Sequence, residues 1–197
     1  MRRKSLFFLA AANLVILPLL YWLGHPVLVH RTRPQGPGLP VYGRMPAFEL
    51  TRESGAPFGN KEMEKNIWVA DFIFTRCPNQ CPMMSVKFGA LQNSLPAGVR
   101  LASFSVDPEY DTPEKLSTYA QNYKADASRW VFLTGPNQTM RNIRKDLHLG
   151  TENDPGMHSL RFVLLDKQRR VRGYYDSGDT ESLGKMRSDI ESLRKEQ

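Results

Sequence analysis

The sequence predicts an α/β fold, a mixed sheet flanked by helices, and three observations carry that expectation. Apolar runs of strand length alternate with segments of helical periodicity, as parallel crossovers require. The run Ile67–Thr75 (IWVADFIFT) is apolar almost throughout, as a central strand covered on both faces must be. Only two cysteines occur, Cys77 and Cys81, and they lie where that run gives way to a helical segment.

The elements follow in order. Ala47–Leu50 and Pro57–Phe58, joined across Glu53-Ser54-Gly55-Ala56, read as a small hairpin. After the central strand, Met84, Phe88, Leu91 and Leu95 recur at the spacing of one helical stripe. Val99–Val106 is the next strand, and Thr112-Pro113-Glu114 opens a helix with a cap, a proline at the first position and an early acid. Trp130–Thr134 is a third strand, and Gly135-Pro136-Asn137 opens a helix carrying Met140, Ile143 and Leu147. Leu160–Asp166 and Val171–Tyr175 read as a closing hairpin. Asp179 then caps a last helix with Leu183, Met186, Ile190 and Leu193 on one side. This order, with a cysteine pair at the first buried strand-to-helix junction, is the thioredoxin-like arrangement.

The N-terminus has another character. Arg2, Arg3 and Lys4 precede an uncharged run from Ser5 to Gly24, which as a helix would rise about 30 Å, the thickness of a bilayer core. The small residues Ala10–Ala12 lie inside the run, and Tyr21 and Trp22 end it, which favours an uncleaved anchor over a cleaved signal peptide. Arg31–Pro40 (RTRPQGPGLP) is too rich in proline and glycine to pack a core and reads as a tether. The expected organisation is therefore a cytoplasmic stub and transmembrane anchor (1–30), a tether (31–40) and a folded domain (41–197). The positive-inside rule exports the domain, and the lack of a Ser- and Arg-rich amphipathic leader points to a bacterial inner membrane with a periplasmic domain.

The net charge of +7 does not indicate a nucleic-acid partner. Residues 1–34 carry five bases and no acid, leaving a balance of only +2 for the rest. The basic excess reports membrane topology.

The cysteine pair has three possible uses: a disulfide staple, thiol exchange or soft-metal binding. A staple closing so short a loop is worth roughly 2 kcal/mol, little use to a domain of this size. Chemistry is the better reading, because a helix start offers N–H groups and a positive dipole end that favour a thiolate. Pro78 and Pro82 stiffen both sides of the pair, and two thiolates suit Cu(I), whereas Zn(II) ordinarily takes four ligands. A third ligand is sought among the histidines. His25 and His30 sit at the membrane exit, and His148 ends a helix, where a surface role is the default. His158 follows the loop Gly150–Met157 at the threshold of a strand, on the side of the sheet end that carries the cysteines. It is either an imidazole within reach of the same ion or a satisfied loop histidine.

Four blocks in order, Phe72–Ser85 (FIFTRCPNQCPMMS), Ser105–Leu116 (SVDPEYDTPEKL), Trp130–Gly135 (WVFLTG) and His158–Asp166 (HSLRFVLLD), resemble the Sco/SenC family. The resemblance implies a thioredoxin-like copper-binding protein that helps assemble the dinuclear copper site of cytochrome c oxidase. It further implies that Cys77 and Cys81 are thiolate ligands and His158 the imidazole ligand of Cu(I) or Cu(II). Asn79 and Gln80 depart from the acidic or aliphatic residues often found between the family's cysteines. Asp107 matches a family position near the metal loop, where it reads either as a carboxylate behind the ligands or as a turn former before Thr112. Glu109 and Asp111 read as turn formers. Met83, Met84 and Met157 carry thioethers nearby, with Met84 assigned to the core stripe.

Two functions follow. In the first, the tethered domain delivers copper to the copper-bearing subunit of the oxidase, having received it from an upstream donor. In the second, Cys77 and Cys81 are catalytic in a thiol-disulfide oxidoreductase that reduces the subunit's cysteines and is itself served by a thiol reductase. Metal delivery requires His158 and exchange does not. A thiol peroxidase using Arg76 beside Cys77 is a weaker third reading, and the sequence does not separate a copper sensor from these.

Overall fold

The computed structural model describes residues 38–149 and 160–196. The expected anchor, residues 31–37 of the tether, Met157 and His158 lie outside the described residues. Among the described residues, no helix is long and apolar enough to cross a membrane.

Eight strands form one sheet: β1 (Gly43–Arg44), β2 (Glu49–Arg52), β3 (Pro57–Gly59), β4 (Ile67–Ile73), β5 (Val99–Ser105), β6 (Trp130–Thr134), β7 (Arg161–Leu165) and β8 (Arg170–Asp176). Their order is β1-β8-β7-β4-β5-β6-β2-β3. The centre, β4-β5-β6, is parallel, and the outer strands are antiparallel. Among the described residues five helices accompany them: α1 (Asn60–Met63), α2 (Gln80–Ser94), α3 (Pro113–Asn122), α4 (Asn137–Asp146) and α5 (Thr180–Lys195).

The period of two along β4 explains the layering. Ile67, Val69 and Ile73 point to one side, where they meet Met84, Phe88 and Leu91 of α2, Leu116 and Tyr119 of α3, and Met186 and Ile190 of α5. Trp68, Ala70 and Phe72 point to the other, against Phe48, Leu50 and Phe58 of the β2–β3 hairpin and Met140 and Ile143 of α4. Every residue of β4 is buried, as its near-continuous apolarity predicts. Each aromatic or large aliphatic side chain taken fully out of water contributes about 1.5–3 kcal/mol. The indoles keep their donors satisfied: Trp68 Nε1 reaches the Met63 carbonyl and Trp130 Nε1 the Ser103 hydroxyl, both at 2.9 Å.

Helix starts follow the expected signals. Thr112 accepts from the Lys115 N–H with Pro113 in the first turn, and Asp179 accepts from the Glu181 and Ser182 N–H groups. Two elements are additional, the two-residue β1 and the single-turn α1, both too short to leave a periodic signature. The hairpin's place is also new: β2 extends the sheet beyond β6, where the Glu53 carboxylate accepts the Phe132 N–H at 2.9 Å.

Arg172, only 4% exposed, closes the opposite margin. It donates to Asp166, to Glu196 near the end of α5, and to the carbonyls of Leu39 and Pro40. The point where the chain enters the domain is thus fastened to its last helix.

Candidate functional site

The sequence places Cys77 in the turn between β4 and α2, and Cys81 in the first turn of α2. Both are free thiols and both are buried, Cys81 completely and Cys77 with 8% of its surface exposed. Asn79 occupies the N-cap position of α2 but makes no side-chain capping bond. Pro82 has no N–H to cap, and the Cys81 N–H donates to the Cys77 sulfur at 3.3 Å. A sulfur therefore does the work an Asn or Ser oxygen does elsewhere.

This arrangement separates the two thiols. Burial alone would raise the Cys77 pKa, but the N–H groups of Cys81, Asn79 and Gln80, together with the Cys81 thiol, outweigh it and hold Cys77 below the ordinary thiol. Burial pushes the Cys81 thiol strongly up, reinforced by the charges of Cys77 and Asp71 and only partly offset by the Phe74 backbone. The two sulfurs are thus unequal, Cys77 the more readily ionised and Cys81 the less.

Asp107 forms the expected turn and, in addition, an ion pair. Its carbonyl accepts the N–H groups of Tyr110 and Asp111, forming the turn, while its carboxylate takes the Arg76 Nε–H at 2.7 Å, one residue from Cys77. The Arg76 guanidinium also lies 4.7 Å from the centre of the Tyr110 ring, which Lys115 approaches to 3.3 Å. Met84 is buried in the core stripe as expected, whereas Met83 and Val86 are exposed on α2 beside the pair. His148 is an exposed residue after α4 with φ of 51°. Among the described residues, no three His, Cys, Asp or Glu side chains gather to hold a metal. The structure therefore brings Cys77, Cys81 and Asp107 to one end of the sheet, and His158 is outside the described residues.

Two acids matter more than the sequence indicated. Asp111, taken as a turn former, is completely buried and accepts from Thr75 and Ser105. Asp71 lies in the middle of β4 with no exposed surface, and neither carboxylate oxygen has a hydrogen-bond partner. Burial raises its pKa to about 7, a shift tempered by its register neighbour Ser103. The signal for Asp71 was available, since it is the one acid in an otherwise apolar run. For Asp111 no local pattern distinguishes a buried carboxylate from the exposed Glu109 two residues away.

The SCO1/SenC family model matches residues 42–194. The chain belongs to the SCO1/SenC family. The SCO1 protein homolog of Bacillus subtilis is 30% identical over 162 residues, covering 78% of this chain and 84% of its own. BsSco, described with a disulfide switch and as a member of the Sco family of cytochrome c oxidase assembly proteins, has a TM-score of 0.68 at 28% identity. That match covers 79% of this chain and 97% of BsSco. Arabidopsis thaliana ScoI, solved with copper bound, shares the fold with a TM-score of 0.62 at 22% identity over 76% of this chain and 98% of its own. The four sequence blocks thus identified the Sco/SenC family correctly, and the mixed sheet with flanking helices is its thioredoxin-like fold. In this Sco/SenC chain the cysteine pair sits at the C-terminal end of a parallel strand, where α/β sheets place their ligands.

Proposed function

We propose that this protein delivers copper for assembly of the dinuclear copper site of cytochrome c oxidase, with Cys77, Cys81 and His158 as its ligands. The observation that carries this reading is the pair of free sulfurs at one helix start, one of them turned toward the thiolate by three N–H groups. Two soft sulfurs fit Cu(I), and the His158 imidazole would make Cu(II) tolerable at the same place. Oxidase assembly by the family of BsSco and copper bound to Arabidopsis ScoI support the reading. Copper is here a cargo, passed to thiolates of the oxidase's copper-bearing subunit after receipt from an upstream donor. The domain works from residue 41 onward, tethered through 31–40 to a transmembrane anchor in 1–30, on the periplasmic face of a bacterial inner membrane.

A second reading is favoured by the unequal thiols. A low-pKa Cys77 beside a protonated Cys81 suits attack on a disulfide followed by resolution, which would make the protein a reductant of the same subunit's cysteines.

Anaerobic copper titration of the reduced protein, beside its His158→Ala, Cys77→Ser and Cys81→Ser variants, tests the assignment. Metal delivery predicts stoichiometric uptake, weakened in all three variants, and transfer to the copper-free oxidase subunit. Absence of uptake, or a His158→Ala variant of unchanged affinity, would move the assignment to the reductase.

A further inference from the structure

The chain enters the domain at the end of the sheet opposite the cysteines. β7 runs antiparallel to β4 with Leu165 beside Trp68, so the turn Lys167–Arg170 lies where β4 begins, whereas Cys77 follows that strand's other end. The entering chain is fixed there. Arg172 donates to the carbonyls of Leu39 and Pro40, the Tyr42 N–H reaches the Val171 carbonyl and the Met45 N–H the Arg169 carbonyl, both at 2.9 Å. Two features of this end are unfavourable in water alone. Val41 is 53% exposed and Tyr42, packed edge-on against Tyr174, is 47% exposed. Arg44 stands directly opposite Arg170 in the β1–β8 ladder, a like-charge pair that destabilises a sheet. Asp166 and Glu196 are already matched by Arg170 and Arg172, and Lys145 and Asp146, which end α4 beside Gly43, add no net charge. Arg44, Lys167 and Arg169 are left without an acidic partner among the described residues.

We propose that this end of the domain rests on an anionic lipid surface, with Val41 and Tyr42 at the headgroup level and Arg44, Lys167 and Arg169 facing the lipid phosphates. A ring with a polar tip settles at the headgroup level, and surface bases are drawn to anionic headgroups. Tyr42 and Arg44 share one face of their strand, so ring and base are presented together. Charge on an edge strand also blocks the addition of a further strand. That accounts for Arg44 but not for the exposed Val41 and Tyr42 beside it. Lipid is the partner within reach. The inference rests on the transmembrane anchor proposed above: residues 25–40 separate its uncharged run from Val41, a length that even fully extended spans no more than about 55 Å. Contact with the bilayer is then intramolecular, and a weak surface attraction suffices. Docked in this way, the domain turns Cys77 and Cys81 away from the membrane.

The full-length protein is reconstituted into nanodiscs of phosphatidylcholine alone and of equal parts phosphatidylcholine and phosphatidylglycerol. Tyrosine oxidation by hydroxyl radicals and lysine acetylation are then read residue by residue by peptide mass spectrometry. Tyr42 and Lys167 report on the proposed surface, and Tyr110 and Lys115, beside Arg76, report on the cysteine end. In the phosphatidylglycerol discs, labelling of Tyr42 and Lys167 is expected to fall about fivefold, as the attraction of one base to an anionic leaflet gives. Tyr110 and Lys115 label as they do in phosphatidylcholine. High salt restores the labelling, and at Tyr42 so does the double variant Arg44→Gln/Lys167→Gln. Equal labelling of Tyr42 and Lys167 in the two discs, protection that survives high salt or the double variant, or protection centred on Tyr110 and Lys115 overturns the lipid-facing surface and leaves the anchor standing. A chain that does not co-elute with the discs overturns the anchor and the surface with it.

Discussion

The backbone N–H of Cys81 points at the sulfur of Cys77 across 3.3 Å, so the first of the two cysteines caps the helix that carries the second. This contact is one source of the pair's asymmetry: burial raises the Cys81 thiol, while the Cys81 N–H and its neighbours hold Cys77 below the ordinary thiol.

Labelling from about pH 6 to 9 is expected to show Cys77 reacting well before Cys81, with its midpoint below that of an ordinary thiol. Peptide mapping after partial alkylation checks this. Two cysteines titrating together would mean that the helix start confers no preference.

Asp71 makes stability depend on pH. Its folded pKa is raised to about 7 from an unfolded value of 3.8, so its protonated form is stabilising at low pH and that contribution is lost as pH rises through about 7. The reduced, metal-free Asp71→Asn variant should therefore match the parent near pH 4 and exceed it near pH 8, by on the order of a few kcal/mol. Urea midpoints at the two ends of that range measure it. An advantage independent of pH would show that the carboxyl does not titrate in the fold.

Arg172→Met should be costly. It leaves the Asp166 carboxylate, 4% exposed, with only Arg170 as a charged partner, removes the cation beside Glu196 and frees the Leu39 carbonyl. Removing one member of a buried pair typically costs about 3–5 kcal/mol. Denaturant unfolding of the two proteins gives the figure, and a loss within error of zero would mean that the network is ornamental to stability.

Gly173 has no room for a methyl group, because a Cβ there would run into the Tyr175 hydroxyl that donates to Asp189 of α5. Gly173→Ala should cost about 1–3 kcal/mol. The penalty should shrink in a Tyr175→Ala background, where the hydroxyl and the ring carbons that a Cβ would meet at 2.5 and 2.8 Å are gone. A double-mutant cycle on thermal stability tests the coupling, and strict additivity would refute it.

The sequence was most legible where a signal is local. The dense run of β4, the helical stripe Met84–Phe88–Leu91–Leu95 and the caps Thr112 and Asp179 all fall where their patterns place them, because burial periodicity and capping are properties of adjacent residues. The hairpin was legible but its docking was not, since pairing Thr51 with Thr134 depends on residues far apart in the chain. Separation along the chain also hid Asp111, whose partner Thr75 lies 36 residues away, just past the end of β4. The cysteines were evident from their spacing, yet their inequality comes from where the helix begins, at Gln80 and not after the pair.

Pro82 gives that helix start a further property. Because the third residue of α2 brings no N–H, the Cys81 amide and its sulfur acceptor dominate the opening turn. Anything that draws the sulfur's lone pairs away withdraws the cap as well, and the Cys81 amide then exchanges its hydrogen with water more readily. The end of α2 is therefore a gauge built into the backbone, reporting by amide exchange whether the sulfur beneath it is engaged.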